Sequence, residues 1–117
     1  MGLGSKTLAE IESQPQLWTE ALRQFEQRAD ELQRLWSTTS FDEIIFTGCG
    51  STYYAGMVGA ALLQAGTGIT ARAVSATELM LFPEMIVSAH RTTLLICVSR
   101  SGTTRETVAA AEMFRNH

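Results

Sequence analysis

Residues 44–52 read IIFTGCGST, a short apolar run followed at once by a turn of glycine and hydroxyl residues. The run Ile44–Phe46 carries the β-branched and aromatic side chains typical of a strand that is buried on both faces of a parallel sheet. Gly48 and Gly50 predict a sharp turn, because glycine tolerates backbone conformations that other residues avoid. We expect Ser51 to cap a helix that starts here, so that free N–H groups and the helix dipole point towards one anion-binding position.

One turn of small residues is often only a connection, but the chain contains a second turn of the same kind. The apolar run 93–98 (TLLICV) leads into 99–104 (SRSGTT), and a helical pattern follows over Arg105–Phe114. Thr103 and Glu106 fit a capping box at the start of that helix. Four hydroxyl groups and one arginine therefore lie within six residues at a helix start, which suits a phosphate because its oxygens accept many hydrogen bonds at once.

The segment between the two turns completes a repeating order of strands and helices. Ile69–Val74 alternates loosely and predicts a strand, while Ser75 and Glu78 predict the capping box of a short helix that Pro83 ends. The order is then two helices followed by three strand–helix units, which favours a parallel α/β sheet.

This order predicts where the two turns lie relative to each other. In a doubly wound, flavodoxin-like sheet with strand order 2-1-3, the first and third strands are neighbours and their helices leave towards opposite faces. Residues 49–52 and 99–104 would then meet at the switch point of a three-layer αβα fold. A small, polar, anionic ligand is expected there.

The N-terminal region predicts helices outside the sheet. Thr7 and Glu10 fit a capping box, and we expect Pro15 to end that first short helix and to start the next. The second helix carries apolar residues at spacings of 4, 3, 4, 3 and 4, namely Trp18, Leu22, Phe25, Ala29, Leu32 and Trp36. Such a stripe indicates either a coiled-coil seam or a helix lying on a core or a partner subunit, and the weak anchor Ala29 favours the second interpretation.

We therefore divide the chain into a helical segment, 1–40, and a sheet-containing segment, 41–117. Open α/β sheets usually contain more than three strands. The second segment is accordingly interpreted as the first part of a longer domain.

Composition excludes several classes of partner. A net charge of −3 and a pI near 5.3 disfavour nucleic acid, which selects basic surfaces. Cys49 and Cys97 lie far apart in sequence without a CxxC pattern, which predicts reduced thiols, no metal site and a cytoplasmic location. Residues 1–6 lack the apolar region of a signal peptide, and no apolar run is long enough to span a bilayer.

Other catalytic and nucleotide-binding motifs fit poorly. Tyr53 occupies the third glycine position of GxGxxG, and the pattern GxxxxGK[ST] is absent. His90 and His117, the two histidines, are interpreted as surface residues. Cys49 is either a nucleophile at a helix start or, as we favour, a small side chain packed under the loop. Tyr53 and Tyr54 are candidates for stacking on a sugar ring.

Residues 48–52 and 99–104 together resemble the two signature loops of the sugar isomerase (SIS) domain family. The segment 10–15, with the pattern E-I-x-x-Q-P, extends the resemblance, and Trp18 and the segment 77–79 bring it closer to the tagatose-6-phosphate or galactosamine-6-phosphate isomerase/deaminase branch. The isomerase part of glucosamine-6-phosphate synthase is a related member. The resemblance implies a five-stranded parallel sheet that binds a phosphosugar.

The resemblance also implies two groups of substrate-binding residues. The residues expected to hold the phosphate are Ser99, Ser101 and Thr104. The residues expected to line the sugar are Gly50, Ser51 and Thr52, with Cys49 beneath them. Arg100 replaces an uncharged residue of the synthase branch and adds a cation to the phosphate loop.

The reaction implied for the complete protein is proton transfer between C1 and C2 of an open-chain hexose or hexosamine 6-phosphate, in some members after loss of ammonia. It needs a carboxylate base, which we expect outside this chain, so no catalytic residue and no cofactor are assigned here. The family also implies a homodimer. The alternative function is a SIS-type sensor that binds a phosphosugar without catalysis.

Overall fold

The computed structural model describes residue 2 and residues 4–116 of the chain. His117 lies outside the described residues, so its predicted surface position is not addressed by the structure. The described part contains six helices and three strands. In chain order they are α1 (Ser5–Gln27), α2 (Ala29–Thr38), β1 (Glu43–Gly48), α3 (Ser51–Thr67), β2 (Thr70–Ser75), α4 (Ala76–Leu81), α5 (Pro83–Ile86), β3 (Thr93–Cys97) and α6 (Arg105–Asn116).

The three strands form one parallel sheet in the order β2-β1-β3, as the sequence predicts. Ile44 of β1 pairs with Ala71 of β2 on one side and with Leu94 of β3 on the other. Every residue of β1 is buried, because the strand has a neighbour on each side and helices over both faces. The carboxyl ends of β1 and β3 therefore lie side by side.

Alternate residues of β1 supply the cores of two helical layers. Ile44 and Phe46 pack with Ala60 of α3 on one face, while Ile45 packs with Leu79 of α4 and Ala110 of α6 on the other. Ser75 accepts a hydrogen bond from the Glu78 N–H and caps α4, which confirms Ser75 as the predicted start of that helix. Since α3 and α6 cover opposite faces, their first residues approach the same edge of the sheet from two sides.

The N-terminal helices form a separate compact unit, Met1–Thr39, while Ser40–His117 forms the other. The prediction that Pro15 ends the first helix is wrong, because α1 runs through Pro15 and ends at Gln27. Proline lacks the N–H that would donate to the carbonyl of Ile11, so one helical hydrogen bond is lost. Because α1 is exposed at Ile11, water can hydrogen-bond to the freed carbonyl. Thr7 lies inside α1, whose N-cap is Gly4 with φ of 85°, so the predicted capping box is also wrong.

Glu43 is a buried carboxylate at the amino end of β1, where the three strands begin. Its Oε1 accepts a hydrogen bond from the Thr93 hydroxyl at 3.0 Å. Its Oε2 lies 3.8 Å from Arg72 Nε and 3.8 Å from Arg91 Nη1. Arg72 also donates to the carbonyl of Ile86. One carboxylate thus joins β1 to β2, to β3 and to the segment that leads into β3, and holds the sheet at the end opposite to the two loops.

The substitution Glu43→Gln is expected to lower the free energy of unfolding by about 1–2 kcal/mol. The amide keeps the size of the side chain but removes the charge that both guanidinium groups face, and those groups are partly exposed, which limits the loss. Chemical denaturation measures the change. The matched control is Glu84→Gln, which removes one negative charge from an exposed site, and an equal loss in both variants would show that net charge alone is responsible.

Candidate functional site

The first loop, residues 48–52, closes a tight turn between β1 and α3. Gly50 is the N-cap of α3 and adopts φ of 55° and ψ of −123°, in the range that favours glycine. Ser51 is the first residue of α3, and the helix has no side-chain cap, so the prediction that Ser51 caps it is wrong. The reason is that Gly50 occupies the capping position and has no side chain to offer.

Thr52 stabilises the first loop through hydrogen bonds to the backbone of the loop itself. Its Oγ1 accepts a hydrogen bond from the Cys49 N–H at 2.9 Å and donates to the Cys49 carbonyl at 2.8 Å. The single hydroxyl proton of Thr52 is therefore used within the loop. Ser51, by contrast, is exposed and lies at the N-terminus of α3.

The second loop, residues 99–104, is held by its own hydroxyl groups. Ser99 Oγ accepts from the Gly102 N–H at 3.0 Å and lies 3.2 Å from Thr104 Oγ1. Ser101 Oγ accepts from the Thr103 N–H at 3.2 Å and from the Thr103 hydroxyl at 3.1 Å. Because both of these bonds are accepted, the proton of Ser101 remains available to an outside acceptor.

The start of α6 offers more free backbone donors than the start of α3. In α3 the N–H groups of Thr52, Tyr53 and Tyr54 already bond to the carbonyls of Cys49 and Gly50. In α6 the first helical hydrogen bond runs from the Val108 N–H to the Thr104 carbonyl. The N–H groups of the preceding turn, 105–107, have no acceptor within the helix and point towards its start. The second loop is consequently the better anion site.

Contacts between the two strands and across to α6 bring the loops together. The Val98 N–H donates to the Thr47 carbonyl at 2.8 Å, which continues the pairing of β1 with β3 up to the loops. Cys49 Sγ lies 3.7 Å from Thr107 Oγ1 on the first turn of α6. Cys49 is half-buried, and Thr107 is buried.

Sequence reasoning missed two threonines beneath the loops. One of them is Thr107, which the sequence could have indicated only through its inward position in the first turn of α6. Thr47 is the other; its Oγ1 is buried and has no hydrogen-bond partner within the described residues. The alternation of side chains along a strand could have indicated Thr47, because it places this residue on the same face of β1 as Ile45 and Cys49. A buried, unpaired hydroxyl group close to the switch point is a polar atom that a bound water molecule can satisfy.

Charged groups border the second loop. Arg100 is exposed within that loop, and Arg105 is exposed at the first position of α6, followed by the acidic residue Glu106. Partial desolvation raises the pKa of the Cys97 thiol at the end of β3, so that thiol is protonated at neutral pH. The rings of Tyr53 and Tyr54 lie with centroids 5.3 Å apart at the start of α3.

One cavity of the structure lies beside the second loop. A cavity of about 310 Å³ is lined by Ser99, Gly102 and Thr107, together with Cys97 and residues of α6. A larger one of about 470 Å³, lined by residues 84–90, contains no residue of either loop. Among residue 2 and residues 4–116, no three His, Cys, Asp or Glu side chains are grouped so that they could hold a metal ion. None of the helices in this part of the chain combines the length and hydropathy needed to cross a bilayer.

Comparison with known proteins gives a consistent picture. The family model described as the SIS domain matches residues 39–117. The chain is 33% identical to D-galactosamine-6-phosphate deaminase AgaS of Shewanella sp. (strain ANA-3), over 92% of this chain and 29% of that protein. It is 32% identical to the isomerizing glutamine–fructose-6-phosphate aminotransferase of Pyrococcus horikoshii, over 93% of this chain and 18% of that protein.

A solved structure agrees with these relatives. The crystal structure of tagatose-6-phosphate ketose/aldose isomerase from Escherichia coli superposes with a TM-score of 0.87 at 30% identity, and the match covers 97% of this chain and 32% of the other. The chain thus spans less than a third of the length of each of these three proteins.

Gly48→Ala is expected to lower the free energy of unfolding by about 1–3 kcal/mol. A Cβ at this position would lie 2.5 Å from Thr52 Oγ1 and 2.9 Å from the Val98 carbonyl oxygen, so that the first loop must shift. The control is Gly66→Ala in α3, where nothing lies within 4 Å and stability should be unchanged or slightly raised. Thermal and chemical denaturation would compare the two, and equal stability of both variants would contradict the close approach at Gly48.

Proposed function

This chain belongs to the SIS domain family, and we propose that it binds the phosphate group of a hexose or hexosamine 6-phosphate. The phosphate lies at the start of α6, on the loop 99–104. The open-chain sugar extends towards the first loop, 48–52. In the complete protein this site serves an aldose–ketose isomerase or an amino-sugar-phosphate deaminase.

The hydrogen bonding of the second loop is the observation that supports the proposal most directly. Ser101 accepts two bonds and keeps its proton free. Ser99 and Thr104 share one bond, so that one proton of the pair is also free. With the N–H groups of the first turn of α6 and the cation of Arg100, the second loop and the helix start carry several donors close together in sequence, and a phosphate dianion requires several donors at one position.

The first loop supports a different role, at the sugar. The donors at the start of α3 are largely used within its own turn, and Thr52 braces Cys49. Ser51 is the exposed hydroxyl residue of this loop and is proposed to contact a sugar hydroxyl. Tyr53, half-buried in the first turn of α3, and its exposed neighbour Tyr54 offer aromatic surface for the sugar ring.

The proposal for the complete protein goes beyond this chain. The loops supply donors and cations, and Glu106 is the carboxylate nearest to them in sequence, at the exposed start of α6. We propose that residues 41–117 are the first part of a longer SIS domain, that the catalytic base lies elsewhere in the protein, and that the protein is a cytoplasmic homodimer. Residues 1–40 form its N-terminal helical segment.

Ser101→Ala is expected to weaken the binding of inorganic phosphate about 10- to 150-fold, because a hydrogen bond to a charged group contributes about 1.5–3 kcal/mol. The matched control is Ser51→Ala, which removes the same hydroxyl group at the start of the other helix and should leave phosphate affinity nearly unchanged. Isothermal titration calorimetry measures both dissociation constants. An equal loss in the two variants would contradict the assignment of the phosphate to the second loop.

In the complete protein, a hexose or hexosamine 6-phosphate should raise the melting temperature, and the same sugar without phosphate should not. At about 100 times Kd the stabilisation would be about 2.7 kcal/mol. Differential scanning calorimetry with each pair of sugars provides the comparison. Equal shifts from both members of a pair would reject a phosphate site, whereas stabilisation without any turnover would favour the sensor function over the enzyme.

A further inference from the structure

Thr47 carries a buried hydroxyl group that lacks a hydrogen-bond partner. The residue is 1% exposed, and within the part of the chain that the structure describes its Oγ1 bonds to no other atom. Its neighbours across the sheet are Val74 of β2 and Cys97 of β3, and neither side chain carries an oxygen or nitrogen atom. A hydroxyl group buried in this way destabilises the folded protein, because its hydrogen bonds to water are lost and none replaces them. Since Thr47 is inaccessible, a further segment of chain that packs on the surface cannot reach this hydroxyl group.

A second buried hydroxyl group, that of Thr107, faces the same layer of the core. Thr107 is 4% exposed, and its Oγ1 lies 3.7 Å from Cys49 Sγ, which is a weak hydrogen-bonding partner. Strand alternation places Thr47 between Ile45 and Cys49 on this face of β1. Ile45 packs with Ala110, and Cys49 contacts Thr107, about one helical turn away on α6. Thr47 therefore faces the stretch of α6 that begins at Thr107.

Thr107 connects this buried layer to the proposed phosphate site above it. Its backbone N–H belongs to the first turn of α6, whose N–H groups point towards the helix start. Its side chain contacts β1 through Cys49. When this turn adjusts to an anion at the helix start, the Thr107 hydroxyl group moves relative to Thr47.

We propose that Thr47 is a positioning residue for the phosphate site. When phosphate binds to the N–H groups of α6, the Thr107 hydroxyl group donates a hydrogen bond to Thr47 Oγ1, and this bond holds the first turn of α6 in the binding position. The bond is made in the bound state and not in the free state, so it favours the bound arrangement of the helix start. This inference rests on the proposed function, because it concerns the same site.

Thr47→Val tests the proposal, since it keeps the shape of the side chain and removes the hydroxyl group. In the complete protein without phosphate, the variant should unfold at the same denaturant concentration as the parent or at a higher one, because a buried unpaired group is gone. Its affinity for inorganic phosphate, measured by isothermal titration calorimetry, should nevertheless fall about 3- to 10-fold, the effect of one neutral hydrogen bond. Thr47→Ser keeps a hydroxyl group and should restore most of the affinity.

The matched control is Thr93→Val, at the opposite end of the same sheet. The Thr93 hydroxyl group has a partner in the free protein, because it donates to Glu43 Oε1 at 3.0 Å. This variant should behave in the reverse manner, with a lower denaturation midpoint and an unchanged affinity for phosphate. A loss of phosphate affinity in Thr93→Val equal to that in Thr47→Val would show that any change in the sheet disturbs the site, and would overturn the proposal.

A double-mutant cycle identifies the bond itself. Thr47→Val and Thr107→Val remove the same hydrogen bond, so the double variant should bind phosphate no more weakly than the weaker of the two single variants. Losses that multiply in the double variant would overturn the proposal. An unchanged phosphate affinity in Thr47→Val would also overturn it. A lower denaturation midpoint of that variant without phosphate would do the same, because the hydroxyl group would then already have a partner, such as a bound water molecule.

Ser101→Ala, measured in the same series, separates this inference from the proposed function. If phosphate affinity falls in Ser101→Ala and not in Thr47→Val, the phosphate site stands and the positioning role of Thr47 is rejected. If the parent protein does not bind phosphate, both are rejected.

Discussion

The loop end of the sheet depends on the absence of a side chain at residue 48. A Cβ there would lie within 3 Å of both the Thr52 hydroxyl oxygen and the Val98 carbonyl oxygen. Because Gly48 leaves this space free, Thr52 reaches back to both backbone polar groups of Cys49, and β3 stays paired with β1 up to Val98. The starts of α3 and α6 thereby come to the same edge of the sheet, and the proposed site exists only because they do.

The second loop is arranged so that its internal bonds leave donors for an outside acceptor. A hydroxyl group has one proton and two acceptor positions, and Ser101 fills its acceptor positions from Thr103. Arg105 is the first residue of α6, at the positive end of the helix dipole, where a cation is unfavourable in the absence of an anion. A bound phosphate removes that penalty, so the hydroxyl network, the helix dipole and Arg105 favour the same kind of ligand.

Local chemistry predicted most of the fold, and contacts between distant groups account for what was missed. The strand at Ile44–Phe46, the Ser75 cap and the strand order follow from nearby side chains and from the rules of parallel sheets. The prediction at Pro15 was wrong because the free energy that a proline costs a helix depends on whether water reaches the freed carbonyl group. The sequence does not reveal that exposure. The pairing of Cys49 with Thr107 joins residues 58 positions apart, and the use of the Thr52 proton depends on a backbone turn that Gly50 allows.

The proposed site and the core of the sheet place different demands on α3, and the helix meets them on different surfaces. Its first turn must stay polar and accessible at Ser51. Its inner face must be narrow, since Gly56 and Gly59 lie against Phe46 at distances that leave little room for a Cβ. Its outer face beyond Tyr54 takes part in neither task, so a charged residue there would cost the fold nothing. That no charged residue occurs in α3 is therefore explained neither by the core nor by the ligand.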